Sequence, residues 1–95
     1  MISIILQNMN YELTFLLKEE AELKNIKELV ELFGKIIKEE RWGEKTLVYP
    51  IKKNSRAYFY NFFIEIEKTK ITELRKKLNF NEKLLRYLLL IKDKE

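Results

Sequence analysis

Residues 57–67, AYFYNFFIEIE, decide how this chain folds. Successive side chains of a strand point to opposite faces, so Tyr58, Tyr60, Phe62, Ile64 and Ile66 share one face, and Phe59, Asn61, Phe63, Glu65 and Glu67 share the other. The first set is apolar or aromatic throughout and reads as core; the second is mixed and reads as a face left open. Just upstream, the polar cluster KKNSR at 52–56 suits a hairpin turn, and KIIKEERWGEKTLVYPI at 35–51 supplies a long extended partner. In that partner Leu47, Tyr49 and Ile51 share a face, and Gly43 marks a bulge or bend. Pro50 has no N–H for a ladder and places the strand at a sheet edge.

On the N-terminal side of this hairpin, YELTFLL at 11–17 alternates Tyr11, Leu13, Phe15 and Leu17 onto one face of another strand. Glu19, Glu20 and Glu22 place negative charge where a helix start favours it. Leu23, Ile26, Leu29, Val30 and Phe33 then recur at helical spacing, which predicts a helix over 19–33 closed by Gly34 as a left-handed C-cap. On the C-terminal side, Thr69 is placed to cap a second helix carrying Ile71, Leu74 and Leu78. LLRYLLLIK at 84–92 is a nearly continuous apolar run, the pattern of a central strand buried on both faces. The order βαββαβ specifies an α+β, ferredoxin-like sandwich, with two helices on one face of a four-stranded antiparallel sheet. Residues 11–92 form this single domain. Residues 1–10 read as an N-terminal extension or, because Met9 offers a second start, a start-site artefact, and 93–95 as a short C-terminal tail.

With 95 residues, 46% of them hydrophobic, the chain fills one core and excludes a multidomain enzyme. It contains no Cys and no His, so thiolate nucleophiles, thiolate metal sites and the usual proton shuttle are missing. Asp93, near the C-terminus, is its only Asp. No Gly-rich phosphate loop, nucleophile elbow or acid pair stands out. We therefore expect no catalytic residue, no cofactor and no small-molecule substrate. Glu39, Glu40 and Glu44 do not converge with Asp or Asn ligands on one strand face, and no metal is expected. No apolar run approaches the roughly 20 residues of a membrane span. The net charge of +4 leans toward polyanionic partners.

Phosphate contacts need cations with free reach on a rigid support. Lys52, Lys53 and Arg56 crowd the hairpin turn, and Lys45 lies on the strand leading to it. Charges on a hairpin also serve simply as a solvated, aggregation-blocking surface, so these residues alone leave both readings open. Tyr11 and Trp42 offer rings that can stack on a nucleotide, although a Tyr beginning a strand and a Trp before a Gly bend more commonly fill a core margin. Arg75, Lys76 and Lys77 complement the dipole at a helix end. Phe59 and Phe63 point away from the core. RNA-recognition motifs share this element order, but their basic, Gly, aromatic, small, aromatic pattern fails at Ala57 and Phe59, so the two rings read as a contact for a protein partner.

The stretch WGEKTLVYPIKK at 42–53, the aromatic strand from Tyr58, and LNFNEKLLRYLLLIK at 78–92 resemble the bacterial small-subunit ribosomal protein six family. The similarity covers about residues 11–92. Its most specific positions are Gly43, Lys45, Leu47, Tyr49, Pro50 and Ile51 in one strand and Leu85, Arg86 and Tyr87 in the last. The chain departs from the family pattern at Thr46 and Val48 and in a shorter first helix. The resemblance implies a non-enzymatic component of the small-subunit platform, in a cytoplasmic or organellar ribosome, that pairs with ribosomal protein eighteen and joins small-subunit ribosomal RNA with it. It adds Arg86, which matches a family position facing RNA. The expected rRNA-binding set is then Lys45, Lys52, Lys53, Arg56, Arg86 and Tyr11, with Phe59 and Phe63 toward a protein. The fold by itself also admits a regulatory or oligomerisation domain that binds itself or a small ligand through the open sheet face.

Overall fold

The computed structural model describes residues 8–92. The expectations for the first seven residues and for the tail at 93–95 lie outside that range. Six elements follow in the expected order: β1 (Asn8–Leu17), α1 (Leu23–Glu31), β2 (Gly34–Ile51), β3 (Asn54–Glu67), α2 (Ile71–Asn79) and β4 (Leu84–Ile91). They form one four-stranded antiparallel sheet in the order β2-β3-β1-β4, the ferredoxin-like arrangement. Short 3₁₀ turns, Glu20–Glu22 and Lys68–Lys70, lead into the two helices.

One face of the sheet and the apolar stripes of both helices make the main core. Leu13, Phe15 and Leu17 of β1 and Tyr60, Phe62, Ile64 and Ile66 of β3 meet Ile26 and Val30 of α1 and Leu74 and Leu78 of α2, all buried. The Phe15 ring lies 5.4 Å from that of Tyr60 and 4.9 Å, edge-on, from that of Phe62. Each such buried ring is worth about 1.5–3 kcal/mol in transfer free energy, so β1 and β3 anchor the domain. Lys27 of α1 pairs with Glu39 of β2 at 2.9 Å. Arg75 Nη2 of α2 donates to the Leu89 carbonyl of β4 at 3.3 Å, so it holds a strand as well as sitting on a helix.

Several details differ from the sequence expectation. Gly34 is not a left-handed cap: it opens β2, and Gly43 is the glycine with positive φ. The end of α1 is closed by the Leu32 and Phe33 amides donating back to Glu28, Leu29 and Val30. Gly34 is required because a Cβ there would lie 2.5 Å from the Glu65 carbonyl oxygen and 2.9 Å from Ile66 Cβ. Thr69 sits inside a 3₁₀ turn, where its hydroxyl donates to the Glu67 carboxylate and caps nothing.

The apolar run of β4 is an edge strand, not a central one; β1 occupies the centre. Leu84, Leu85 and Leu89 are buried, whereas Leu88, Leu90 and Ile91 are more than half exposed. β1 starts at Asn8, three residues before Tyr11. The hairpin turn is the pair Lys52–Lys53 alone, and β3 already begins at Asn54.

β2 is the other edge, as Pro50 indicates, and Gly43 does mark a break in register. It is one of three: pairing with β3 also shifts between Ile36 and Lys38 and between Thr46 and Ile51. The residues caught in these shifts are pushed outward. Ile37, Trp42, Val48 and Tyr49 are 54%, 45%, 87% and 81% exposed, so Trp42 does not fill a core margin and Tyr49 does not share the inward face of Leu47 and Ile51.

Candidate nucleic-acid interface

On the face away from the helices, a second and smaller apolar cluster forms from Leu16, Ala57 and Leu85, with Leu47, Ile51 and Phe59 packed against it. This cluster carries the hairpin arm over the sheet. Gly43, Phe59, Leu16 and Arg86 are cross-strand partners in one row through all four strands, and Lys45 with Ala57 lies one step toward the turn. The register of β4 against β1 shifts between Leu16 and Leu17, so β4 fits one extra residue, Leu85, at this point. The bulge seats Leu85 in the apolar cluster and leaves Arg86 exposed at the rim. With strands about 4.8 Å apart, Arg86 and Lys45 are separated by roughly 16 Å across this face.

The turn is drawn toward the same rim. Lys52 and Lys53 both have left-handed backbones, with φ of 50° and 68°. A two-residue hairpin needs that geometry to match the strand twist, and it ordinarily recruits Asn or Gly. Asn54 braces it: its side-chain NH2 donates to the Lys52 carbonyl at 2.9 Å and the Ile51 carbonyl at 3.3 Å. The Lys52 ammonium then reaches the Leu84 carbonyl at 3.5 Å, bringing the hairpin tip to the start of β4.

The expected RNA residues therefore separate by state. Lys45, Lys53 and Arg86 are exposed and hold no ion pair among the described residues. Lys52 is spent in part on Leu84. Arg56 is bound to Glu44, Nη2 to Oε1 at 2.9 Å, on the helix side of the hairpin, which turns it away from the open-face row. Tyr11 is removed from the set: its side chain is 3% exposed within the main core, leaving no ring face for a nucleotide. Tyr49, by contrast, stands free between Lys45 and the turn. Its exposure was hidden in the sequence by the register shift that breaks strict alternation after Thr46.

Phe59 and Phe63 do lie on the open face, both half-buried. Phe59 belongs to the small apolar cluster, and Phe63 is flanked by the ammonium groups of Lys38 and Lys92, 5.8 and 5.5 Å from its centroid. Between them Asn61 is almost fully buried. Its amide donates to Glu12 at 2.9 Å and Glu40 at 3.4 Å, and its oxygen accepts from the Thr14 hydroxyl. Alternation alone places Asn61 in solvent; the carboxylates on both neighbouring strands close over it. Glu39, Glu40 and Glu44 are distributed among Lys27, Asn61 with Lys38, and Arg56. Among the described residues no group of three or more carboxylates gathers as a metal site, and no helix is long and apolar enough to cross a membrane.

Comparison with known proteins gives this geometry a family. The sequence model of ribosomal protein S6 matches residues 10–91. The chain belongs to the ribosomal protein S6 family. The small ribosomal subunit protein bS6 of Rickettsia prowazekii is 34% identical over 86 residues, which span 82% of this chain and 71% of that protein. Its counterpart from Beijerinckia indica is 40% identical over 72 residues, 75% of this chain and 48% of that protein. The chain thus spans about half the length of the Beijerinckia S6. The crystal structure of 30S ribosomal protein S6 from Thermotoga maritima superposes with a TM-score of 0.79 over 90% of this chain and 89% of that one, at 20% identity. That superposition shows the shared ferredoxin-like fold.

Proposed function

We propose that this S6-family chain is a structural, non-catalytic component of the small ribosomal subunit in a cytoplasmic ribosome. In this reading it binds ribosomal RNA of the central-domain platform together with ribosomal protein eighteen. The observation that carries the reading is the gathering, at one end of the open sheet face, of Lys45, Lys53 and Arg86, which hold no ion pair among the described residues, beside Lys52. Residues 45, 53 and 86 are far apart in sequence, and the bulge in β4 and the braced turn bring them to a common rim. Such a rim meets phosphates by geometry, with no chemistry required. The half-buried rings of Phe59 and Phe63 supply the apolar part of a protein contact on the same face.

Self-pairing through the exposed β4 edge is the other use this fold admits, since Leu88, Leu90 and Ile91 are exposed there. An antiparallel pair of β4 edges centred on Leu89 would set Arg86 against Lys92, both positive, which disfavours that register of a second copy.

The deciding experiment measures binding of the purified chain to a central-domain rRNA fragment, with and without purified ribosomal protein eighteen, as a function of salt. We expect the partner to tighten binding. With three or four phosphates neutralised, log K against log salt should slope at about −3. Absence of association at low salt, or stable homodimerisation with no preference for structured RNA over a polyanion control, would defeat the proposal.

A further inference from the structure

A notch of about 220 Å³ opens between the end of α2, the start of β4 and the hairpin tip; Lys52, Asn79, Asn81 and Arg86 line it above Leu78 and Leu84. Its distinguishing property is chemical. Among the described residues no carboxylate lines it, whereas the concavity between α1 and β2 mixes Glu20, Glu28 and Glu31 with Lys24, Lys27 and Arg41. The polar side chains at its wall are arranged to donate. Asn79 Oδ1 is occupied by the Tyr87 hydroxyl at 2.7 Å, and Asn81 Oδ1 accepts the Lys83 backbone N–H at 2.9 Å. Each carboxamide has therefore engaged one lone pair of its oxygen and, among the described residues, retains the donors of its NH2. Lys52 uses one of its three N–H donors on Leu84, and the five of Arg86 are unspent among the described residues.

The nearby end of α2 carries the negative pole of a helix dipole, which works against an anion. Its carbonyls are partly answered already: Phe80 N–H donates to Lys76 and Asn81 N–H to Leu78. Two full cationic charges and two free carboxamide NH2 groups outweigh what remains. The notch is also smaller than the roughly 300 Å³ at which pockets begin to enclose whole organic ligands, so a base with its sugar is too large for it.

We infer that this notch seats one backbone phosphate of the bound RNA, with Asn79 and Asn81 as donors beside Lys52 and Arg86. The inference rests on the RNA-binding reading above and adds two residues and a single defined phosphate position to it.

The Asn79→Asp/Asn81→Asp double variant tests it. The acceptor oxygens that hold Tyr87 and Lys83 are kept, so the turn and β4 remain in place, while each donor becomes an anionic oxygen facing the phosphate. Asn10→Asp/Thr72→Asp, which adds the same two negative charges at the opposite end of the sheet, beside Phe63 and Lys92 and at the exposed start of α2, is the matched control. Affinity for the central-domain rRNA fragment should fall at least tenfold further in the double variant than in the control. The salt slope should lose about one unit, the signature of one phosphate contact. Thermal midpoints read in parallel confirm that both proteins are folded. If the parent protein binds RNA and the double variant stays within about twofold of the control, the notch is not a phosphate seat, while the wider RNA reading stands. If the parent protein itself fails to bind, both fall.

Discussion

Replacing Lys53 by Gly should make the protein more stable and a poorer RNA binder at once. The Lys53 backbone sits at φ 68°, where an L side chain crowds the following carbonyl. That crowding costs about 1–2 kcal/mol, and glycine escapes it. Against the gain stands the extra freedom glycine has in the unfolded chain, about 0.5–1 kcal/mol. The Lys53 side chain is exposed and has no ion pair among the described residues, so its removal gives up none there. The net expectation is a stabilisation of about 0.5–1 kcal/mol, or a rise in midpoint of about 3–6 °C for a domain of this size. Circular dichroism melts measure the first effect. RNA titrations across a salt series measure the second, with the slope losing about one unit. A lower melting point would show that the turn is not strained at Lys53. An unchanged slope would remove Lys53 from the RNA interface.

Three further outcomes follow from the packing. Gly34→Ala should destabilise by about 1–3 kcal/mol in urea titrations, because its new methyl meets the β3 backbone at Glu65, whereas Gly43→Ala meets open space and costs only the left-handed strain, about 1–2 kcal/mol. Asn61→Ala should cost about 1–3 kcal/mol in the same assay, since it strips the donor from Glu12 and Glu40 and the acceptor from Thr14 in a site closed to water. Burial, reinforced by the negative charge of Glu20 and opposed by Arg41, raises the pKa of Tyr60 above 10.0. The protonated phenol is thereby favoured in the folded state, so its stability contribution is intact below pH 10 and is lost as pH rises through the higher folded value. Tyr60→Phe should flatten that alkaline loss and remove, from the ultraviolet titration of the parent protein, the late ionisation that belongs to Tyr60.

The element order was legible because four stretches carry clean periodicity: β1 and β3 set an apolar residue at every second position, and the two helices repeat at three and four. Pro50 spoke for an edge through a property of its own backbone, and Gly43 for a bulge. What stayed hidden depends on neighbours distant in sequence. The run in β4 contains no polar residue between Tyr87 and Lys92 to mark Leu88 and Leu90 as outward-facing, so an edge strand read as a centre. Gly34 is explained by a carbonyl thirty-one residues away, which local capping rules do not register. The candidate site was half legible. Cations at the turn and at position 86 are visible in any reading, but the pairing of Arg56 with Glu44 follows only from the hairpin register, and the burial of Tyr11 only from the helices that cover it. Asn81 makes a local turn bond to the Lys83 N–H, and only the fold brings it and Asn79 together at the notch beside Lys52 and Arg86.

The reach of Lys52 to the Leu84 carbonyl joins two pieces of chain that meet only after the final strand has docked. A chain with β4 undocked lacks this rim, and any free energy gained when nucleic acid occupies it accrues solely to the completed molecule. Occupancy should therefore slow hydrogen exchange most in the last strand, far along the chain from the lysines themselves, and a copy left outside its assembly should be the one that proteases find first.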